Sequence, residues 1–254
     1  MPAVVKTAAE WRALRAGLGA SGRTVGFVPT LGALHAGHAS LFDAARRANG
    51  VVLASVFVNP TQFDDKRDFE QYPRTLERDI ALMGRSGVDF VFAPEAGEMY
   101  PDAARYSVSE SEFSLELCGT HRPGHFTGVL TVVMKLLQIA GAERAYFGEK
   151  DYQQLVLIRG MCRAFFIPTE IIACPTVREA DGLALSSRNA RLSPAERALA
   201  PGFHRALESA PSAQAARAAL ESEGFGVEYV EDREGRRFGA VRLGQTRLID
   251  NVSR

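Results

Sequence analysis

The chain has 254 residues, 46% hydrophobic and 24% charged, which suits one large or two small globular domains and excludes disorder and fibrous repeats. Thirty basic residues balance thirty acidic ones, so the basic excess of a nucleic-acid binder is missing and no nucleic-acid partner is expected. Only four of the basic residues are lysines (Lys6, Lys66, Lys135, Lys150), which gives a lysine inside a motif more weight than usual.

The three scattered cysteines, Cys118, Cys162 and Cys174, cannot build a disulfide framework and point to a reducing compartment. The first ten residues lack the apolar stretch of a signal peptide. The apolar run at 51–58 is far short of the ~20 residues that span a bilayer. A soluble, cytoplasmic protein without a membrane partner is expected.

In chain order, Thr7-x-x-Glu10 predicts a capping box opening a helix that carries Trp11, Leu14 and Leu18 on one face and is broken by glycines at 17–22. A β-rich run at 24–28 leads through Pro29-Thr30-Leu31-Gly32 into a helical pattern on Leu41, Phe42 and Ala45. Residues 51–58 read as a strand buried on both faces. Residues 74–85 read as a helix with Leu76, Ile80 and Met83 on one side. A strand at 88–93, a helix at 129–139, a strand at 145–147, a helix at 152–165 and a strand at 170–174 follow. Strands alternating with helices at this spacing predict an α/β fold, a Rossmann-like, doubly wound parallel sheet. After about Pro175 the composition turns to Ala, Glu and Arg, with Pro194 at a helix start and an amphipathic run at 212–223. Alternating strands then fall near 227–230, 240–243 and 247–249. The expected domains are therefore 1–175, Rossmann-like, and 176–254, a smaller, shortened α+β domain.

Two glycine patterns are decoys. Gly17-Leu-Gly19-Ala-Ser-Gly22 matches the dinucleotide fingerprint but follows a helix instead of a strand. Gly32-Ala-Leu-His-Ala-Gly37 opens like a P-loop, yet His38 and Ala39 stand where Lys and Ser/Thr are required. The same segment makes sense otherwise: His35-Ala-Gly37-His38 lies where a strand turns into a helix, at the sheet edge where such folds bind ligands. Two histidines three apart on a first turn can donate hydrogen bonds to phosphate oxygens as charge develops. Gly148-Glu149-Lys150-Asp151 repeats that setting after a second strand, with Lys150 for a phosphate and Asp151 for a cap or a ribose hydroxyl. Leu185-Ser186-Ser187-Arg188-Asn189 reads as a polar loop able to close over a triphosphate. Cys118-x-x-His121-x-x-x-His125 has passable zinc spacing but lacks a fourth ligand nearby.

Taken in order, seven segments resemble the pantothenate synthetase (pantoate–β-alanine ligase) family of the His-x-Gly-His nucleotidyltransferase superfamily. They are residues 28–38, 57–63 (Phe-Val-Asn-Pro-Thr-Gln-Phe), 72–75, 122–126, 147–155, 181–189 and 243–251. The resemblance implies ATP contacts from Leu31, Gly32, Ala33, Leu34, His35, Ala36, Gly37 and His38. It extends them to Gly148, Glu149, Lys150, Asp151, Val177, Leu185, Ser186, Ser187 and Arg188. It makes His38, His35, Lys150 and Arg188 catalytic, gives Gln62 to pantoate and β-alanine and Gln154 to pantoate, and implies magnesium and a homodimer without naming the metal's ligands. Leu31 replaces the family's commoner Met, a near volume-conserving swap. The second domain looks trimmed between Pro201 and the closing segment, which bears on lid closure and turnover.

The implied activity is ATP-dependent condensation of pantoate with β-alanine through a pantoyl adenylate, releasing AMP and pyrophosphate. Two alternatives stand beside it: a nucleotidyltransferase acting on a phosphorylated acceptor, and an inactive ATP- or AMP-binding regulator. The first needs a cationic acceptor pocket where Gln62 and Gln154 are neutral. The second is motivated by the short lid.

Overall fold

The computed structural model describes residues 1–64 and 66–254. The first part of the chain runs β1 (Ala3–Val5), α1 (Ala8–Ala20), β2 (Val25–Thr30), α2 (Ala36–Ala48), β3 (Val51–Val56), α3 (Lys66–Glu70), α4 (Leu76–Arg85) and β4 (Phe90–Phe92). It continues with α5 (Ala96–Met99), α6 (Cys118–His121), α7 (His125–Ala140), β5 (Arg144–Gly148), α8 (Tyr152–Ala164) and β6 (Glu170–Cys174). These strands form one parallel sheet in the order β1-β4-β3-β2-β5-β6. Helices cover both faces, so β3 (Val-Val-Leu-Ala-Ser-Val) is almost wholly buried, as the uninterrupted apolar run requires. The chain leaves β2 toward β3 on one side, while β5 joins β2 from the other. A crevice therefore opens at the carboxyl ends of β2 and β5, the switch point where doubly wound sheets bind ligands.

The rest comprises α9 (Pro194–Leu199), α10 (Pro201–Ser209), α11 (Ala213–Ser222) and the antiparallel sheet β7 (Gly226–Arg233), β8 (Arg236–Leu243), β9 (Thr246–Ser253). It has its own core around Phe203, Leu207, Leu220, Val241 and Leu248. Tyr229 and Phe238 turn the other way and join the main core, with Arg236 stacked 3.9 Å over the Tyr152 ring of α8. The small sheet is thereby seated on the large one beside the crevice.

The capping box of α1 is present, and Trp11 is fully buried with its indole N–H donating to the Ala140 carbonyl at 3.0 Å. Leu14, by contrast, is 41% exposed. Gly17 and Gly19 do not break α1, which runs to Ala20 and stops at Gly22, whose φ of +68° a glycine accepts readily. Tertiary packing of the Trp11 face outweighs the ~1 kcal/mol that each internal glycine costs. Strand β3 ends at Val56, two residues early, and β1 is too short for periodicity to reveal. On α4, Leu76 is exposed and the inward face holds a buried aspartate, Asp79, beside Met83. No helix among the described residues is long and apolar enough to cross a membrane.

Candidate active site

The crevice holds a cavity of about 310 Å³, lined from β2 and α2 by Leu31, His35, Gly37 and His38. Gly148, Lys150 and Asp151 line it after β5, Gln62 after β3 and Gln154 from α8. Val177 and residues 185–188 close it from the far side. The structure thus gathers into one hollow four stretches that lie far apart in the chain. Gly32, Ala33, Leu34, Ala36 and Glu149, expected among the ATP contacts, do not line it. Leu34 is buried in the core under α2, and Gly32 and Ala33 form the turn behind the site.

The two histidines form a reciprocal cap. His35 occupies the N-cap of α2 with extended backbone, outside the first turn, and its ring centroid lies 4.2 Å from that of His38. The Gly37 N–H donates to Nδ1 of His35 at 3.1 Å, and the His35 N–H donates to Nδ1 of His38 at 3.3 Å. With both Nδ1 atoms accepting, each neutral ring carries its proton on Nε2 and becomes a donor there. Burial, reinforced by neighbouring His35 and Lys150, pushes His38 down to about 3; burial and Lys150 lower His35 as well. Gly37 is required: a Cβ there would sit 2.9 Å from the His35 ring.

Asp79 explains the turn ahead of this cap. Gly32 and Ala33 both have positive φ (82° and 51°), a costly choice for alanine. The buried Asp79 carboxylate compensates by accepting from the Ala33 N–H at 3.0 Å, the Leu34 N–H at 2.9 Å and the Thr75 hydroxyl at 3.1 Å. Across the cavity, Asn251 of β9 donates to the carbonyls of Glu149 and Lys150 at 2.9 and 3.0 Å, so the small sheet braces the Lys150 turn. Asp151 sits at the N-cap of α8 without a side-chain cap bond, and its carboxylate stays half exposed, 3.9 Å from the Lys150 ammonium.

The glutamines are sorted by their neighbours. Gln153 turns inward to the carbonyls of Phe113 and Glu116 and the Cys118 N–H, while Gln154 faces the cavity. Gln62 is oriented by fully buried Asn59, whose amide donates to Gln62 Oε1 at 3.0 Å and to the Gly128 carbonyl at 3.2 Å. The Asn59 carbonyl in turn accepts from the Tyr100 hydroxyl at 2.7 Å. Gln62 therefore presents its NH₂ group to the hollow. The residues with passable zinc spacing serve other ends: the His125 Nδ1–H donates to the Gln62 carbonyl, Arg122 donates to His125 Nε2, and the Cys118 thiol faces the Tyr229 hydroxyl.

Burial and the Arg122 charge push His125 down to about 4. Unfolded imidazoles titrate near 6.5. Between these values the unfolded chain binds protons that the folded chain refuses, so stability is complete above about pH 6.5 and is lost as pH falls toward 4. Thermal unfolding followed from pH 8 to 4.5 is expected to show that decline, with a shallower slope in His38→Gln. An unchanged slope would mean that His38 is not held neutral.

A family model described as pantoate-beta-alanine ligase matches residues 3–253. The chain belongs to that family. A pantothenate synthetase from Bdellovibrio bacteriovorus is 54% identical over 95% of this chain and 94% of its own. The crystal structure of pantothenate synthetase from Thermus thermophilus superposes with a TM-score of 0.91 at 44% identity, covering 99% of both chains. That of the Francisella tularensis ligase, complexed with beta-gamma ATP and beta-alanine, gives 0.94 at 39% identity over 100% of this chain and 98% of the other. The chain is an enzyme of the ligase class and condenses pantoate with β-alanine, which displaces the nucleotidyltransferase and inactive-regulator readings. Because the two structures are covered over 98–99% of their own length, the C-terminal domain is not trimmed relative to them. Its compactness reflects close packing of α10 and α11 on β7–β9.

Proposed function

We propose that ATP lies across the switch-point crevice with its α-phosphate at the histidine cap, and that the carboxylate of pantoate attacks there. The observation that carries this reading is the reciprocal cap itself, which leaves two neutral imidazoles with Nε2–H donors at the start of α2. A carboxylate is already ionised at neutral pH, so the attack needs positioning and charge stabilisation, with no general base. One carboxylate oxygen bonds to the α-phosphorus, the bond to the bridging oxygen breaks, and pyrophosphate leaves with that electron pair. His35 and His38 donate to the non-bridging oxygens, Lys150 and Arg188 to the leaving phosphates, and Ser186 and Ser187 close the loop over them. Asp151 is placed for a ribose hydroxyl. The amine of β-alanine then attacks the acyl carbon of the adenylate, loses a proton and expels AMP.

Gln62 and Gln154 supply oriented neutral donors and acceptors for pantoate, with Gln62 shared with β-alanine, and spare the site the desolvation of a further charge. The magnesium implied by the family fits an ion carried mainly by the triphosphate. Among the described residues no three ligand side chains converge, Asp250 of the lining is tied to Arg178, and Asp151 is the carboxylate left for it. Bound there, it would neutralise phosphate charge.

In this reading residues 1–175 bind the substrates and residues 176–254 act as the lid. A homodimer is supported by Phe165 and Phe166, 55% and 91% exposed beyond the end of α8. Three free, buried cysteines suit the reducing, ATP-rich cytoplasm. The test is pyrophosphate release from ATP plus pantoate. A single-turnover burst without β-alanine, and steady AMP release only with it, is the expected result. Pyrophosphate release that required β-alanine from the start would overturn the adenylate order.

A further inference from the structure

Between the Gln62 turn and α4 the chain meets the phosphate loop. Asp68 on α3 accepts from Nη2 of Arg188 at 2.9 Å through one oxygen and from Nη1 of Arg191 at 2.8 Å through the other. Both arginines sit in the 3₁₀ turn Ser187–Arg191, and the Asp68 side chain is only 20% exposed. The buried Tyr72 lines the same hollow as Ser187. The turn carrying Ser187 and Arg188 is thus fastened through both arginines to the floor formed by the first 175 residues.

The charges in this contact do not cancel. One carboxylate lies between two guanidiniums and leaves one positive charge over. Burial tends to raise Asp68, but Arg191 and Arg188 win and hold it below the usual carboxylate range, so it is ionised at neutral pH. Among the described residues the pair uses only Nη2 of Arg188, which leaves Nε and Nη1 for a ligand. A guanidinium held by one amino group has its plane set, and a planar fork so oriented meets two phosphate oxygens without first losing rotamer freedom.

We propose that Asp68 is a positioning residue for the triphosphate: it stays bonded to Arg188 and Arg191 when nucleotide binds and fixes the plane in which Arg188 receives the leaving phosphates. This rests on Arg188 being a phosphate ligand. The opposite arrangement, a carboxylate that ATP must displace, predicts the opposite sign.

Asp68→Asn, Asp68→Glu, Arg188→Ala and the Asp68→Asn/Arg188→Ala double variant separate the cases. They are measured by pyrophosphate release and by calorimetric titration with non-hydrolysable ATP. Asp68→Asn is expected to raise the ATP KM and Kd roughly 5–20-fold, the scale of a half-shielded charged pair, with pantoate KM within about twofold of wild type. Asp68→Glu recovers most of the loss, and in the Arg188→Ala background Asp68→Asn adds less than about twofold. Tighter ATP binding by Asp68→Asn, no change, or equal losses for ATP and pantoate would each overturn the proposal. If Arg188→Ala leaves ATP binding intact, the phosphate role of Arg188 fails and the proposal falls with it. A strong Arg188→Ala effect beside a silent Asp68→Asn removes the Asp68 role alone.

Discussion

His38→Ala is expected to slow pantoyl-adenylate formation roughly 10²–10³-fold while weakening ATP binding less than about tenfold, the pattern of a donor whose contact strengthens as phosphate charge develops. The imidazole is neutral and its Nδ1 is occupied by the His35 N–H, so the group it offers is an Nε2–H of fixed direction. Such a donor interacts weakly with ground-state ATP, which has water and cations to choose from, and strongly with an oxygen gaining charge in a closed cavity. Because the ring stays neutral to about pH 3, the adenylation rate should show no imidazole ionisation near 6.5. Single-turnover formation of the adenylate, set against equilibrium binding of a non-hydrolysable ATP, measures both quantities. Equal losses in the two would assign His38 to ground-state binding. A neutral donor also tolerates the Lys150 ammonium close by, where a second cation would be repelled.

Asp79→Ala is expected to destabilise the protein by about 2–4 kcal/mol, since it strands two main-chain N–H groups and removes charged acceptors from a buried site. The same variant should raise the ATP KM, because the Gly32–Ala33 turn loses the partner that offsets its left-handed backbone and the His35 cap rests directly on that turn. Urea unfolding and ATP titration read the two effects. A stability loss below about 0.5 kcal/mol would mean that water replaces the carboxylate, contrary to its 1% exposure. Asp79→Asn keeps one acceptor but turns an amide NH₂ toward other donors, so it should recover only part of the loss.

Asp79 also shows where reading the chain stops. Leu76, Ile80 and Met83 suggested an apolar face for α4, and Asp79 lies on that same face as its one interruption. A charged residue on an apolar stripe is a detectable signal, but its partners are two amides some 45 positions earlier, which spacing cannot supply. Asn59 and Tyr100 are similar: Asn59 lies in a legible segment and Tyr100 does not, and that one orients the other, and through it Gln62, emerges only when α7 brings Gly128 against the Pro60–Gln62 turn. His35 and His38 were legible as a pair. Their mutual capping, which sets both tautomers, was not, because it depends on His35 leaving helical geometry.

The order of strands and helices, the parallel sheet, the helix start at residues 35–38 and most of the polar groups that line the crevice follow from the amino-acid sequence. They are properties of local pattern, and periodicity, glycine placement and residue chemistry act over a few positions at a time. Tertiary structure alone decided which groups meet: Asp68 with Arg188, Asn251 with the Lys150 turn, Asp79 with the nucleotide turn. Each joins segments separated by 45 to 120 positions. A pairing of charge or hydrogen bonds over such distances is set by how helices pack on the large sheet and how the small sheet closes on it, and no local pattern encodes that packing.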